Sequence, residues 1–303
     1  MYYKQTDRKI VQNDFDRKDE GKMVEKMPLC PEERALSYCK YFDLPMEEPD
    51  PRSMQIWNAG PVPEETVLRI ENINDLFKPG YLPCEQGYCA LSDGTGFVAN
   101  YVRMEGVTAE MVDWWFTWHF IKPPSVPEGN GNLRYKIWNP YEHWDTVPIS
   151  EADKKRRADP SIYYRLRSEG AVDFLEETIR VGGPRFYMEP HPITHLEDLG
   201  ADHNLVTAPN FGTFCSAMTL QEECPPMIVV HYYRPVPSGL ELRSRYWTGY
   251  RVENHKLIKD TAIPAKLEDM RNNCMHNMRE YPHLGRFLPK LFAEEGWKPV
   301  DAY

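Results

Sequence analysis

Residues 227–250, MIVVHYYRPVPSGLELRSRYWTGY, contain the pattern that decides the fold. Two β-prone runs flank the turn Pro237-Ser238-Gly239, and each run alternates with the period of two that a strand requires. The first run divides between two faces, with Ile228, Val230 and Tyr232 on one and Val229, His231 and Tyr233 on the other. The second run places on one face Leu240, Leu242, Ser244, Tyr246 and Thr248. The stretch therefore predicts an antiparallel hairpin.

Further strand-like runs precede this hairpin. They are LRYKIWNP (133–140), SIYYRLR (161–167), AVDFLEETIRV (171–181) and PRFYMEP (184–190). Nearer the N-terminus, the turn Asp93-Gly94-Thr95-Gly96 separates two β-prone runs, which is the signal of another hairpin. The next segment, VTAEMVDWWFTWHF (107–120), predicts a buried amphipathic helix with Thr108 as its N-cap.

The chain closes with a helical pattern from about Ala265 to Glu295, which Pro282 and Pro289 are expected to interrupt or bend. An early helix, a run of antiparallel strands and a long last helix indicate an α+β fold. A curved sheet would grip the last helix and leave a cavity between them. Inward-facing strand residues would then lie opposite one face of this helix.

The first part of the chain differs in composition from the rest. Residues 1–84 are charged and then rich in proline, and they predict only a short helix around Pro31–Tyr41. We interpret this region as a smaller N-terminal layer that packs on the main domain or on a partner subunit. Residues 85–303 form the predicted main domain.

Composition excludes several classes of function. The 303 residues carry a net charge of -10, which argues against nucleic acid and against an anionic membrane surface as partners. The sequence has no apolar run of membrane-spanning length and no secretory signal, so we expect a cytoplasmic protein. Its seven cysteines include no CxxC pair, which argues against a disulfide framework and a thiolate zinc site.

A histidine and a glutamate in the last helix raise the question of a metal. His276 and Glu280 lie four residues apart, so both side chains project from one helix face, about one turn apart. A surface ion pair and half of a metal site both fit this spacing. If a metal is bound, histidine and carboxylate groups hold it. The remaining candidate ligands are His143 at the end of KIWNPYEH, His231 in an apolar strand, and Glu176 and Glu177 in AVDFLEETIRV.

Five segments carry a resemblance to a known family. They are GYCALSDGTGFVA, GVTAEMVDWWFTWH, LRYKIWNPYEH, ELRSRYWTGY and HNMREYPHLGRFLPKLFAEE, in order from about Gly87 to Glu295. Together they resemble the diacetylphloroglucinol hydrolase and phloretin hydrolase family. The resemblance implies a Bet v 1-like helix-grip domain and a homodimer. It also implies a zinc enzyme that cleaves the C–C bond between a phloroglucinol ring and its acyl group.

The resemblance also implies site residues. By motif, it places zinc ligands on His143, His276 and Glu280. The fourth ligand falls in FLEETI, on Glu177 or, as the alternative, on Glu176, and a slip of one residue would turn the carboxylate to the opposite face of the strand.

Three further residues map onto groups that bind the phenolic ring and assist catalysis: Tyr135, His231 and Tyr246. The expected substrate is therefore a small aromatic ketone, and the expected cofactor is Zn²⁺. Two alternatives stay open at this point. One is a non-enzymatic helix-grip protein that binds hydrophobic aromatic ligands, and the other is a metallohydrolase of another β-dicarbonyl.

Overall fold

The computed structural model describes residues 25–148, 179–182, 187–193, 195–202, 205, 212–219 and 224–296. The α-helices in this part of the chain are α1 (Pro31–Arg34), α2 (Pro51–Asn58), α3 (Asn74–Phe77), α4 (Ala109–Trp118), α5 (Leu133–Lys136) and α6 (Leu267–Glu295). The strands are β1 (Gly87–Ala90), β2 (Gly96–Glu105), β3 (Asp145–Pro148), β4 (Ile179–Gly182), β5 (Tyr187–Pro192), β6 (Gly212–Thr219), β7 (Met227–Val236), β8 (Gly239–Thr248), β9 (Tyr250–Glu253) and β10 (Lys256–Lys259).

Eight of these strands form one antiparallel sheet in the order β1-β2-β8-β7-β6-β5-β4-β3. The predicted hairpin is confirmed, because β7 pairs with β8 from Met227↔Thr248 to Val236↔Gly239. Its two faces divide as the alternation predicts. Ile228 and Val230 pack in the hydrophobic cluster of α3 and the residues around it, whereas Val229 packs with the methionines of α6.

The long last helix lies on one face of this sheet and contacts β1, β2 and α4. Two glycines permit a close approach to β2. A Cβ at Gly96 would overlap Met270, and one at Gly285 would lie 3.2 Å from Cγ of Met104. This arrangement of an antiparallel sheet and a long C-terminal helix confirms the α+β, helix-grip prediction.

The last helix is not interrupted at its prolines, so that part of the expectation is wrong, and a bend at these positions stays a prediction. Pro282 and Pro289 both lie inside α6, which runs continuously from Leu267 to Glu295. A proline inside a helix removes one backbone donor, and its ring crowds the carbonyl of the preceding turn. Here the surrounding residues Tyr281, Leu284 and Leu288 are buried in the core, so tertiary packing holds the helix together on both sides of the prolines.

The strand prediction for LRYKIWNP is also wrong, since Leu133–Lys136 form the short helix α5. Asn132 caps this helix by accepting a hydrogen bond from Arg134 N at 3.1 Å. All four side chains of this helix are buried, including those of Arg134 and Lys136. Arg134 donates to Trp118 O at 3.2 Å, and Lys136 pairs with Glu33 at 2.9 Å.

Two other local predictions are confirmed. The segment Asp93–Gly96 connects β1 to β2 as a hairpin, with Gly87 paired to Ala99. Thr108 caps α4 by accepting a hydrogen bond from Met111 N at 3.3 Å. The α4 tryptophans are core residues, since the fully buried side chains include Trp114, Trp115 and Trp118. SIYYRLR lies outside the described residues, and AVDFLEETIRV does so except for its last residues in β4.

The described residues before residue 85 pack on both sides of the sheet. Tyr38 and Phe42 join the cluster formed by α4 and α6, and Ile70 and Phe77 join the cluster on the opposite face. On that opposite face, Glu85 bridges two buried guanidinium groups of β8, those of Arg243 and Arg245. The domain boundary near residue 84 stays a prediction.

None of the helices in the described part of the chain combines the length and the apolar character that a membrane span requires.

Candidate metal centre and active site

His143 lies in the turn that follows α5. Its backbone N–H donates to Asn139 O at 2.9 Å, and Nδ1 of its ring lies 3.3 Å from Tyr135 O. The ring stacks on Tyr135, with the centroids 4.0 Å apart and the planes 4° from parallel. These contacts bury the imidazole and direct its Nε2 atom toward α6, where it lies 3.2 Å from Glu280 Oε2.

His276 and Glu280 meet on the inner face of α6, as the four-residue spacing predicts. Nε2 of His276 lies 3.0 Å from the same Oε2 atom of Glu280 that His143 approaches. The three ligand atoms of His143, His276 and Glu280 all lie within 4.8 Å of one another, so this group could hold a metal ion. The sequence pattern alone left a surface ion pair open, but Glu280 is buried.

Glu142 contacts the candidate metal ligands and was not singled out in the sequence analysis. Its Oε2 atom accepts hydrogen bonds from His276 Nδ1 and from Asn139 Nδ2. Metal-binding histidines usually donate their second ring N–H to a carboxylate or a carbonyl, which fixes the tautomer and leaves the other nitrogen for the metal. Glu142 satisfies this for His276, and the Tyr135 carbonyl does so for His143. The signal was present in the sequence, because Glu142 directly precedes His143.

The charges at this group are set by one buried carboxylate that lies between two imidazoles. Burial opposes ionisation of Glu280, but His276 and His143 lower the pKa of its carboxyl to about 2. Burial acts to lower the pKa of His276, but Glu280 and Glu142 raise that pKa well above its usual range. For His143, burial dominates and lowers the pKa. The site therefore offers an ionised carboxylate at neutral pH.

The donor atoms fit a divalent cation with nitrogen and oxygen ligands. Two imidazole Nε2 atoms converge on one carboxylate oxygen, which is the donor set that zinc accepts when cysteine is absent. The second ring nitrogens are already engaged by protein acceptors. Glu177, the expected fourth ligand, and its alternative Glu176 lie outside the described residues.

A second group of polar side chains lies between the sheet and α6. We call it the phenol–imidazole cluster and define it as His231, Ser244, Tyr246, Asn277 and Tyr281. Ser244 Oγ lies 2.8 Å from His231 Nδ1, and the Tyr281 hydroxyl lies 3.0 Å from His231 Nε2. Burial lowers the pKa of His231 to about 4, so this imidazole is neutral at physiological pH.

Tyr246, which the family resemblance assigned to the phenolic ring, belongs to the same cluster and lies on the face of β8 that packs against the last helix. Its hydroxyl donates to Asn277 Oδ1 at 2.5 Å, and its ring centroid lies 5.6 Å from that of His231. Burial raises the pKa of Tyr246 well above its ordinary value. The phenol therefore stays protonated and keeps its capacity to donate a hydrogen bond.

Tyr135 has a different setting from the other two predicted catalytic residues. It lies on α5, not on a strand, and its ring forms the stacking surface for His143. Burial, followed by the charge of Glu280, raises its pKa well above the ordinary value. The structure thus brings Tyr135 to the metal group, and His231 and Tyr246 to the phenol–imidazole cluster.

Tyr281 connects these two groups and was also missed from the sequence. It follows Glu280 directly in α6, so its side chain is turned by about 100° from the carboxylate around the helix axis. It contacts His231, whereas Glu280 contacts His143 and His276. The indole of Trp138 packs against Tyr281 at 5.5 Å and donates to Glu280 O at 3.1 Å, which fixes this turn of the helix beside α5.

Comparison with known proteins assigns the chain to a family. Residues 68–293 match the family model described as the DAPG hydrolase PhiG domain. The chain is 28% identical over 299 residues to phloretin hydrolase from Eubacterium ramulus, an alignment that covers 94% of this chain and 98% of that relative. It is 30% identical over 279 residues to 2,4-diacetylphloroglucinol hydrolase from a Pseudomonas species, covering 87% and 90% of the two chains. The enzyme of the same name from Pseudomonas protegens is also 30% identical, over 87% of this chain and 86% of that relative. The chain therefore belongs to the DAPG hydrolase family and is, like these relatives, a hydrolase.

Proposed function

We propose that this protein is a zinc-dependent hydrolase that cleaves the C–C bond between a phloroglucinol-type ring and its acyl group. The products are a phloroglucinol and a carboxylic acid. One observation carries the proposal: the Nε2 atoms of His143 and His276 converge on a single buried carboxylate oxygen of Glu280, beside the phenol–imidazole cluster. The names of the relatives support the substrate class, because phloretin and 2,4-diacetylphloroglucinol are both acylphloroglucinols.

In this proposal, His143, His276 and Glu280 hold the zinc ion, together with Glu177 or its alternative Glu176. Bound zinc would supply Lewis acidity for a ketone oxygen and lower the pKa of a water molecule. Glu142 holds the His276 ring through Nδ1, and Tyr135 holds the His143 ring by stacking and through its carbonyl.

The phenolic ring of the substrate binds at the phenol–imidazole cluster, and Tyr135 bounds it beside the metal group. Cleavage adds the oxygen of water to the acyl carbon and releases the electron pair of the C–C bond into the ring, where the ring oxygens share the charge. Tyr246 stays protonated, so its hydroxyl can stabilise this charge as it develops. The ring carbon that bears the acyl group takes up its proton before the bond breaks, when a ring hydroxyl group passes to its keto form, and the proton that water gives up on adding to the acyl carbon goes to the ring oxygen.

His231 is the residue we assign to the proton of the ring carbon. Both nitrogens of its neutral imidazole contact a hydroxyl group, Nδ1 that of Ser244 and Nε2 that of Tyr281, so the ring can pass a proton by exchange with these hydroxyls. Ser244 and Tyr281 keep the ring in place.

The test combines metal analysis with a small panel of acylphenols. Protein loaded with Zn²⁺ and freed of excess metal should retain one zinc per chain and convert acylphloroglucinols to phloroglucinol and acid. His276→Ala should lose the metal and more than about 100-fold of the activity, since even the outer-shell partners of ligands contribute 10–100-fold. His255→Ala is the control, because His255 is 79% exposed and pairs with Asp198 away from the site.

Full zinc content and full activity in His276→Ala would exclude the site. Turnover confined to another β-dicarbonyl would exclude the substrate class. The homodimer that the resemblance implies stays a prediction, and light scattering of the zinc-loaded protein tests it.

A further inference from the structure

The hydroxyl of Tyr233 has no hydrogen-bond partner among the side chains and backbone groups that the structure describes. The residue is only 3% exposed, so water does not reach it freely. Buried polar groups are almost always hydrogen-bonded, because an unpaired one loses its hydration without compensation. A buried hydroxyl without a partner in the described part of the chain therefore requires an explanation.

The position of Tyr233 in the sheet accounts for the lack of a partner among the described residues of the neighbouring strands. It follows His231 by two residues in β7, so both side chains lie on the face toward α6. Its partner in β8 is Leu242, whose side chain has no polar atom. Its partner in β6 is Gly212, which has no side chain at all. Neither neighbouring strand offers it a side-chain acceptor at these two positions.

The hydroxyl is also close to the catalytic groups. Burial raises the pKa of Tyr233 well above its ordinary value, and the charge of Glu280 adds to this effect. The group is therefore a permanent donor. Tyr233 also interacts electrostatically with Tyr246 and Tyr281, whose pKa values it helps to raise. A donor in this position is suited to an oxygen that arrives with the substrate.

We propose that Tyr233 is a further substrate-binding residue, whose hydroxyl donates a hydrogen bond to a ring oxygen of the acylphloroglucinol. This inference rests on the proposed function. His231, Tyr246 and Tyr233 then present three polar groups on the inner face of β7 and β8, which suits a ring with three oxygens in alternating positions. Tyr233 makes the site selective for the trihydroxylated ring over one that lacks a hydroxyl group, because the dihydroxylated ring leaves a buried donor unpaired.

The experiment compares Tyr233→Phe with Tyr232→Phe in zinc-loaded protein. Tyr232 is the matched control, because it is the adjacent tyrosine of β7 but faces the opposite side, where it packs against Phe77 at 5.2 Å. Binding of phloroglucinol and of resorcinol, which lacks one of the three hydroxyl groups, is measured by calorimetry. Turnover of an acylphloroglucinol and the zinc content are measured in parallel.

Wild type should bind phloroglucinol roughly tenfold more tightly than resorcinol, the size expected for one hydrogen bond to a group that is otherwise left unpaired. Tyr233→Phe should lose most of this preference and raise KM for the acylphloroglucinol by a similar factor. Its zinc content and melting temperature should not fall, whereas Tyr232→Phe should keep the wild-type preference and KM.

The two proposals fail in different ways. If Tyr233→Phe keeps the wild-type preference and KM, the hydroxyl contacts no ring oxygen and this inference is wrong, while turnover by wild type still supports the proposed function. If wild type binds the two phenols with the expected preference but turns over no acylphloroglucinol, the binding role stands and the proposed function fails. If wild type binds neither phenol and shows no turnover, both are wrong.

Discussion

Glu142 accepts a hydrogen bond from Nδ1 of His276, although 134 residues separate the two along the chain. This contact places Nδ1 of His276 on Glu142 and directs Nε2 toward Glu280 and His143. It also joins the turn after α5, which carries His143, to the last helix, which carries His276 and Glu280. One carboxylate thus holds these two segments of the candidate metal site together.

The first prediction concerns this carboxylate. Glu142→Gln replaces the charged acceptor by a neutral amide that can turn its NH₂ group toward Nδ1, so the His276 ring loses its fixed orientation. We expect the zinc affinity to fall by about 10- to 100-fold. Competition with a chromophoric chelator measures it. The control is Glu253→Gln at an exposed position in β9, which should leave the zinc affinity unchanged. If Glu142→Gln also binds zinc as tightly as wild type, Glu142 does not orient His276.

Tyr281 gives the second prediction. Tyr281→Phe removes the hydroxyl at His231 Nε2 and keeps the ring, so we expect kcat to fall by roughly 10- to 100-fold, in the range of a mispositioned general acid or base. Zinc content should not change. Tyr250→Phe is the control, because the Tyr250 hydroxyl contacts Glu71 away from the site. Steady-state kinetics over a range of pH measure the effect. If Tyr281→Phe keeps the wild-type kcat and pH profile, Tyr281 has only a structural role.

The third prediction is a loss of stability in mild acid. Burial lowers the pKa of His119 to about 3 and those of His231 and His283 to about 4. The unfolded chain protonates these imidazoles near pH 6.5 while the folded protein does not, so the free energy of unfolding falls as pH drops from about 6.5 toward 4. At pH 5 the loss amounts to about 2 kcal/mol for each imidazole.

Urea titrations of zinc-loaded protein at pH 7.5 and pH 5 measure this effect. His283→Leu removes one of the three imidazoles, so its free energy of unfolding should fall by about 2 kcal/mol less than that of wild type over the same interval. Equal losses in the two proteins would mean that His283 is not neutral and buried in the folded state.

The fourth prediction concerns the opposite face of the sheet. Glu85→Gln leaves the buried guanidinium groups of Arg243 and Arg245 without their shared carboxylate, and we expect about 3 kcal/mol of destabilisation. The comparison is Asp43→Asn, which breaks the ion pair between Asp43 and Arg34. Because the Asp43 side chain is 61% exposed, this change should lower the free energy of unfolding by less than about 1 kcal/mol. Chemical denaturation measures the free energy of unfolding of both variants. Similar losses in Glu85→Gln and Asp43→Asn would show that burial does not make the Glu85 ion pairs more important for stability.

The sequence predicts the features whose cause is local. The hairpin of β7 and β8 follows from strict alternation around Pro237-Ser238, and the meeting of His276 with Glu280 follows from the helical repeat. The strand prediction for residues 133–140 failed because Lys136 is neutralised by Glu33, about a hundred residues earlier in the chain. Glu142 and Tyr281 were missed for the same reason, since their partners lie in other elements. The fourth metal ligand stays a prediction.

Lys136 also limits how this enzyme can be shortened. Its ammonium group is fully buried and is held by Glu33, Pro28 O and Asn130 O, next to the tyrosine on which His143 stacks. A protein that starts at residue 85 would keep the residues assigned to zinc. It would lack Glu33, however, and would leave the buried ammonium group of Lys136 without its carboxylate, next to the residues that hold His143. We expect such a fragment to be insoluble or to lose its metal. The proline-rich N-terminal third is therefore required for the activity and cannot be replaced by an unrelated domain.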